Sequence, residues 1–397
     1  MEELVKELEK VNEKINVSPA KELYEKRAII YNRLEKFDLA MKDYENIIQL
    51  DSNDYMAYYE RACEWYNWKI YYLDEHPEEE EVKSNTIGYL EKSVNLKETS
   101  KAYYRMAEIY FNLLDDNEEA LIYCNKALAI EEDESWRIEE LKLQGQIYNE
   151  IGYYDEAIET LTNVLDKVKD EDAFLFRGIV YSNLADDEED GDESRALYIN
   201  SLKDFQNAAL LDEENIFSCM KMAEILKDVF DEVESTAECY TKVLMLEPSN
   251  EEANEYLAGY FYDRGEYRKS VECIDNIGEL DLDLYYLNKY KAECYYELGE
   301  YAKALNIYNR VLEKTDDKSI YDYRGDVYLK LGECDKAILD YKKFIEYYPE
   351  SKGVYYRLGQ AYIEKGDYEN ALKVLKKALQ LLPGNKQILD LINKINN

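Results

Sequence analysis

The sequence predicts an all-α fold, a solenoid of about ten stacked helix-turn-helix units with a capping helix at each end. Three observations predict it. First, ten small residues (Ala28, Ala62, Ala107, Gly145, Gly178, Ala223, Ala258, Ala292, Gly325 and Gly359) are each followed three positions later by a large side chain. Those partners are Tyr31, Trp65, Tyr110, Tyr148, Tyr181, Leu226, Phe261, Tyr295, Tyr328 and Tyr362. Second, the successive intervals are 34, 45, 38, 33, 45, 35, 34, 33 and 34 residues, so a period of about 34 runs through the 397-residue chain. Third, offsets recur inside the units. From Ala292, Gly299 lies seven on, Tyr301 nine, Ala304 twelve, Tyr308 sixteen and Val311 nineteen; from Gly325 the same offsets give Gly332, Cys334, Ala337, Tyr341 and Phe344. A unit of this length buries its apolar face only by stacking on its neighbours.

Residues 1–20 are the N-terminal cap. MEELVKELEKVNEKIN reads as one amphipathic helix with Leu4, Leu8, Val11 and Ile15 on a face, and Pro19 stops it. Ten units follow at about 21–54, 55–99, 100–137, 138–170, 171–215, 216–250, 251–284, 285–317, 318–351 and 352–385. Each is two short amphipathic helices joined at a glycine, which closes a helix at φ > 0 without steric cost. The alanines and glycines stand where two backbones approach, and the tyrosines fill the space beside them. The units near 21, 138, 251 and 352 share the pattern, with Ala40, Ala157, Ser270 and Ala371 at the second small position, whereas those near 55, 100, 171 and 216 lack the turn glycine. Pro248, Pro349 and Pro383 follow second helices, where a residue unable to continue a helix ends it. Residues 386–397 form the C-terminal cap, with Ile388, Leu391, Ile392 and Ile395 on one face. No Pro/Gly/Ser-rich linker interrupts the array, so it reads as one structural domain.

The two intervals of 45 mark insertions of 11 residues, about three helical turns, which keep the same face toward the core. In the first, Ala57 to Leu73 is predicted as a prolonged first helix ending near Asp74, before an acidic loop from Pro77 to Glu81. In the second, an acidic loop from Asp186 to Glu193 precedes a helix from near Ser194 to Leu211. Both insertions are predicted to protrude from one edge, three units apart. Asp186, Glu188, Asp190 and Gly191 fit positions 1, 3, 5 and 6 of a calcium loop, but position 12, which requires a bidentate glutamate, is Leu197. A solvated, charge-rich loop is the stronger reading.

The period, the small-plus-aromatic pairs and the internal offsets make the chain resemble the tetratricopeptide repeat family over nearly its whole length. The resemblance implies a right-handed superhelix of helix pairs, whose first helices line a concave groove that commonly receives an extended peptide or a partner's helix. One known family mode, a clamp of lysines, asparagines and an arginine that holds the terminal carboxylates of heat-shock proteins, is rejected. Lys101 and Arg105 match part of it, but Glu25, Ile29 and Glu60 stand where lysine and asparagine belong, and the two glutamates would repel a carboxylate.

Composition bounds the function. The formal net charge is -38, and half of it falls between Asp115 and Glu193, where 25 acidic and 6 basic residues give -19; residues 352–397 carry 8 basic and 4 acidic. Such a middle repels phosphates and anionic membrane surfaces and attracts basic partners, so nucleic acid is excluded as a ligand, although an acidic face also serves solubility alone. No apolar run approaches the roughly 18 residues needed to span a bilayer. Glu2, Glu3 and Glu7 argue against a secretory signal, and the cytoplasm is the expected location. The seven cysteines form no CxxC pair and read as reduced, packed thiols, and the single histidine, His76, reads as a loop residue beside Pro77. Without a phosphate loop or nucleophile motif, no catalytic, cofactor or metal residue is assigned.

If the family geometry holds, positions six and three before each small residue, and one and four after it, face the groove. This gives Met56, Tyr59, Cys63 and Tyr66, then Lys101, Tyr104, Glu108 and Phe111 beside Arg105. Toward the far end it gives Glu252, Glu255, Gly259, Tyr262; Tyr286, Lys289, Glu293, Tyr296; Ser319, Asp322, Asp326, Leu329; and Gly353, Tyr356, Gln360, Ile363. Rings interleaved with carboxylates suit a peptide with apolar anchors and Lys or Arg. The expected function is thus a non-enzymatic scaffold binding a basic and aromatic partner segment. The alternatives are an acidic chaperone, a peptide-sensing regulator or a structural part of a larger assembly. With 41 tyrosines in the chain, a wet inner wall with no dedicated ligand is the competing reading of the groove.

Overall fold

The computed structural model describes residues 2–69, 77–130, 134–278 and 285–396, and its regular elements are helices. They fall into two compact units, Met1–Ser218 and Cys219–Asn397, where the unbroken repeat had pointed to a single domain. His76 lies outside the described residues, as do Ile70 to Asp74 of the first insertion.

In the first unit α1 (Glu2–Val17) precedes α2 (Lys21–Arg33) and α3 (Phe37–Leu50). Next come α4 (Tyr55–Asn67), α5 (Glu79–Val82) and α6 (Gly88–Leu96), the last two joined through a π-helical turn at Lys83–Ile87. The pairs α7 (Ser100–Asn112) with α8 (Asn117–Leu128), α9 (Glu134–Glu150) with α10 (Tyr154–Leu165), and α11 (Glu171–Asp187) with α12 (Gly191–Leu211) follow. The helix α13 (Ile216–Asp228) leads into the second unit and α14 (Val233–Leu246). The remaining pairs are α15 (Glu251–Asp263) with α16 (Tyr267–Ile277), and α17 (Tyr285–Glu297) with α18 (Tyr301–Lys314). Then come α19 (Ile320–Lys330) with α20 (Cys334–Tyr347), and α21 (Lys352–Lys365) with α22 (Tyr368–Leu381), closed by α23 (Lys386–Asn396). Second helices also pack on the first helix of the following pair, as α3 does on α4, α10 on α11, α18 on α19 and α20 on α21. At the two ends, Val11 and Ile15 of α1 bury against Ile30, and Ile388 of α23 against Leu375 and Ala378.

The predicted small residues sit where helices touch. A Cβ on Gly325 would lie 2.6 Å from Tyr341 Cε1, and one on Gly359 only 2.5 Å from Leu375 Cδ2, distances at which something must move. Gly145 meets Leu161 in the same way at 2.7 Å. Each partner is sixteen residues on, the distance from one first helix to the facing turn of its second helix. The glycine turns appear as well, with Gly299 and Gly332 both at φ 74°. Where glycine is missing, Asp115 at φ 49° and Asp231 at φ 55° adopt the left-handed conformation, as Glu35 does at φ 57°. Acidic side chains thus occupy a position that glycine fills without strain.

A second spacing of sixteen recurs, between arginine and aspartate. Arg27, immediately before Ala28, donates two hydrogen bonds to Asp43, from Nε at 2.8 Å and Nη2 at 2.5 Å, and a third from Nη1 to Asn12 at 2.8 Å. Arg324, before Gly325, repeats this with Asp340 at 2.7 and 2.8 Å and with Asn309 at 2.7 Å. Rings flank both guanidinium groups, Tyr24 and Tyr31 around Arg27 and Tyr321 and Tyr328 around Arg324, at 5.4 to 5.7 Å. A planar fork paired bidentately and set between rings uses the specific chemistry of arginine. Arg177 makes the same fork to Asp204, 27 residues on, at 2.7 and 2.9 Å. The difference of 11 is the insertion, which therefore lengthens the pair by whole turns without changing the face that meets its neighbour.

The insertions differ from their predicted form in being more helical. α11 continues to Asp187 and α12 begins at Gly191, so the predicted acidic loop from Asp186 to Glu193 shrinks to three residues. Asp190 caps α12 by accepting from the backbone of Asp192 and Glu193, which places those two acids in a first turn where the helix dipole favours them. Glu79, Glu80 and Glu81 likewise form the first turn of α5 and not a loop.

Two substitutions test this packing. Gly325→Ala is expected to cost about 1–3 kcal/mol by overpacking against Tyr341, read as a lower urea midpoint with an unchanged denaturant slope. Glu64 of α4 is buried and accepts from Asn32 Nδ2, and burial pushes its carboxyl up to about 7 against that hydrogen bond, with Glu60 adding to the rise. Its folded value lies above the unfolded one, so its contribution is complete below about 4.5 and is lost as the pH rises through about 7. Glu64→Gln, uncharged throughout, is expected to raise stability at pH 8 by up to about 3 kcal/mol and to leave it nearly unchanged at pH 4.5, by urea titration at both values.

Candidate functional site

Along the second unit, the first helices α15, α17, α19 and α21 are tied together by the residues predicted to line the groove. The Tyr262 hydroxyl on α15 donates to Glu293 Oε2 on α17 at 2.9 Å, and Tyr286 on α17 donates back to Glu255 on α15. Each pair is 31 residues apart, a little under one repeat. Lys289 Nζ lies 4.2 Å from the ring centroid of Tyr323 on α19, and Arg357 of α21 pairs with Asp322 and stands 3.3 Å from Asp326 Oδ1. From the second helix α20, Tyr341 reaches the same surface and donates to Asp326 Oδ1 at 2.5 Å.

Two cavities open on these helices. The larger, of about 630 Å³, is lined by Tyr240, Glu252, Glu255, Tyr256, Tyr286 and Tyr290 among others, with Gly259 at its wall. A Cβ at Gly259 would meet nothing within 4 Å, so this glycine borders open space. The smaller, of about 200 Å³, lies between Tyr262, Glu293, Tyr296, Glu297, Tyr308, Tyr323 and Asp326. Tyr290 packs edge-on against Tyr262, with ring centroids 5.3 Å apart, so rings are continuous between the two.

Burial pushes the Glu293 carboxyl above its ordinary range, opposed by the Tyr262 hydrogen bond and by Lys289. Asp322 and Asp326 are raised for the same reason, with Arg357 pulling both back. Burial also raises the hydroxyls of Tyr262 and Tyr286, each reinforced by its glutamate, so these phenols remain donors. For Lys289 burial works against the charge, but the Tyr323 hydrogen bond and neighbouring carboxylates outweigh it and its value rises. The surface thus holds half-buried carboxylates whose charge the protein's own donors only partly satisfy.

The candidates of the first unit are arranged differently. Cys63 and Tyr66 are core residues, Tyr66 only 1 % exposed and packed with Trp65, Val82, Leu90 and Met106, which corrects their placement on an open groove. Val82 ends α5 and Leu90 lies on α6, so the segment that follows the first insertion contributes to that core. Arg105 lies 4.9 Å from the Tyr66 ring centroid and donates to Glu108 Oε2 at 2.6 Å. Lys101 sits 5.5 Å from the Trp136 ring, which meets Tyr104 edge-on at 5.2 Å. Tyr59 and Phe111 pack against apolar clusters. In the second unit Tyr356 is half-buried and accepts from Gln360 Nε2 at 3.2 Å.

Sequence spacing missed Tyr308, Tyr323, Glu297, Tyr341 and Arg357. The first and fourth stand at offset sixteen, a spacing that marks them as bulk and does not show where their hydroxyls end. Arg357 was detectable as a cation 35 residues after Asp322, one repeat away on the neighbouring first helix. Among the described residues no three His, Cys, Asp or Glu side chains are grouped to hold a metal ion, and Asp186 and Asp190 of the calcium template accept from Tyr198 and from backbone. No helix among them is long and apolar enough to cross a membrane, and six of the seven cysteines are buried and free, with Cys334 partly exposed.

Four family models described as tetratricopeptide repeat match the chain, over residues 324–386, 290–314 and 140–172 and, for the fourth, over both 21–54 and 100–134. Similar solved structures include the MamA protein, 27 % identical over 43 % of this chain and 92 % of that one, with a TM-score of 0.38. YrrB, described as a TPR protein with an unusual peptide-binding site, is 23 % identical over 47 % and 96 %, with a TM-score of 0.40. PilW, a type IV pilus biogenesis factor, is 16 % identical over 60 % and 98 %, with a TM-score of 0.46. No curated protein matches the sequence.

The charge balance of the surface can be tested without a ligand. Arg357→Met removes the cation that answers Asp322 and Asp326, and is expected to cost about 1–3 kcal/mol at pH 7. The two aspartates then titrate still higher, so the deficit should shrink as the pH falls and they take up protons. Urea midpoints of both proteins at pH 7 and pH 5 measure it.

Proposed function

We propose that this chain, a tetratricopeptide-repeat protein and so a scaffold for protein–protein interaction, holds a partner segment carrying basic and aromatic residues along α15, α17 and α19. One observation carries the reading. Around the two cavities, Glu252, Glu255, Glu293, Glu297, Asp322 and Asp326 outnumber Lys227, Lys289 and Arg357, and the carboxylates stand between tyrosine rings. Carboxylates partly removed from water and facing aromatic walls attract a cation more strongly than the same charges spread over an open surface. The tyrosines supply broad contact area with few rotatable bonds, which lowers the entropy lost on binding. The role is binding, with no chemistry assigned to these residues.

In a pull-down from native lysate, eluted through a salt series and read by mass spectrometry, the intact chain should retain a basic partner that moderate salt releases. Tyr286→Ala combined with Glu293→Lys should lose it with helicity unchanged, and Gly259→Phe, which fills open space at the larger cavity, should weaken it. The raised carboxyls of Glu293 and Asp326 protonate ahead of exposed ones, so capture should also fall on acidification. Equal recovery by the double variant would remove the site from these helices.

A further inference from the structure

We propose that the smaller cavity is a pocket for a single arginine side chain of the partner, an inference that rests on the reading above and sharpens it. At about 200 Å³ it is smaller than the roughly 300–1,000 Å³ typical of small-molecule sites, a size for one side-chain head and not for a folded segment. Its walls are the rings of Tyr262, Tyr296, Tyr308 and Tyr323, and its charged members are Glu293, Glu297 and Asp326.

An independent observation comes from Tyr308 of α18. Its side chain is 1 % exposed, it lines the cavity, and its hydroxyl makes no hydrogen bond within the protein among the described residues, although Glu293 and Asp326 are among its charged neighbours. A hydroxyl with no partner in the protein keeps its lone pairs available to a donor entering the cavity. Acceptors are also free. Among the described residues Glu293 commits Oε2 to Tyr262 and has no partner for Oε1, and Glu297 makes no ion pair or hydrogen bond. Asp326 by contrast is already held by Tyr341 and Arg357, so it serves as wall and charge.

The arrangement selects arginine over lysine. A guanidinium is planar, stacks on phenol faces and directs five N–H donors outward in one plane, enough to reach Glu293 Oε1, Glu297 and the Tyr308 hydroxyl together. An ammonium is a compact point charge with three donors, more tightly hydrated, and does not stack. Lys289 beside Tyr323 and Arg357 beside Asp326 offset part of the charge, but Glu293, Glu297, Asp322 and Asp326 exceed them.

The test selects binders to the full chain from a displayed library of random dodecapeptides and measures the enriched peptides by fluorescence anisotropy. The enriched peptides should share an arginine. Replacing it with citrulline should weaken binding at least about tenfold, and lysine should recover only part of the loss. Glu293→Gln keeps an acceptor for Tyr262 and should remove the preference for arginine over citrulline. Tyr308→Phe should weaken the arginine peptide while leaving the thermal midpoint unchanged, a combination that a purely structural tyrosine would not give. Equal binding of the arginine, lysine and citrulline peptides would overturn the pocket. So would peptides without a common arginine; if the Tyr286→Ala/Glu293→Lys variant still lost them, the broader surface reading would survive. A library that yields no binder would overturn both.

Discussion

The structure depends on a contact with no room in it. Where a first helix meets its own second helix, the backbones approach until the residue between them is alanine or glycine, and the side chain sixteen positions later closes over the gap. At Gly325 and Gly359 even one added carbon would enter the facing Tyr341 or Leu375. This close approach fixes the distance between the two helices, and with it the face each presents to the next pair. The Arg27, Arg177 and Arg324 forks sit one residue before such contacts and hold the same two helices by charge-assisted hydrogen bonds.

The proposed binding surface follows from that packing. When the residue at offset sixteen is tyrosine, its ring fills the gap and its hydroxyl must end somewhere beyond it. Tyr341 ends on Asp326, and Tyr308 ends in the smaller cavity. The polar tip of a core tyrosine is thereby delivered to the side of the first helices that carries the smaller cavity and Asp326. An apolar residue at the same position, such as Leu375, closes its gap equally well and delivers nothing. Choice of side chain at a packing position is therefore also a choice about the site.

Electrostatics divide the candidate residues in a way that composition alone does not. The net charge of -38 is concentrated between Asp115 and Glu193, yet the carboxylates best placed to hold a cation are in the second unit, between rings and partly shielded from water. In the first unit Arg105 already has Glu108 and the Tyr66 ring, and Lys142 already has Glu139, Asp170 and Asp172. A carboxylate answered inside the protein offers little to a partner, however dense the surrounding charge.

The period of small residues was enough to read the all-helical repeat, the glycine turns at Gly299 and Gly332 and the first-helix positions of Glu293, Tyr262 and Asp326, because each is a local or one-dimensional property of the chain. Helix boundaries in the insertions were misread because a run of acids looks like a loop until the capping geometry of Asp190 shows that the acids favour a helix N-terminus. Cys63 and Tyr66 were misplaced because position in a repeat does not say which neighbour covers it, and for Tyr66 those neighbours are Val82, Leu90 and Met106. Only the tertiary structure decided which carboxylates remain unanswered, that the Tyr308 hydroxyl ends without a partner among the described residues, and that Arg357 meets Asp322 across a repeat. Those outcomes rest on distances between side chains 15 to 35 residues apart, which helix periodicity brings near each other but does not bring into contact.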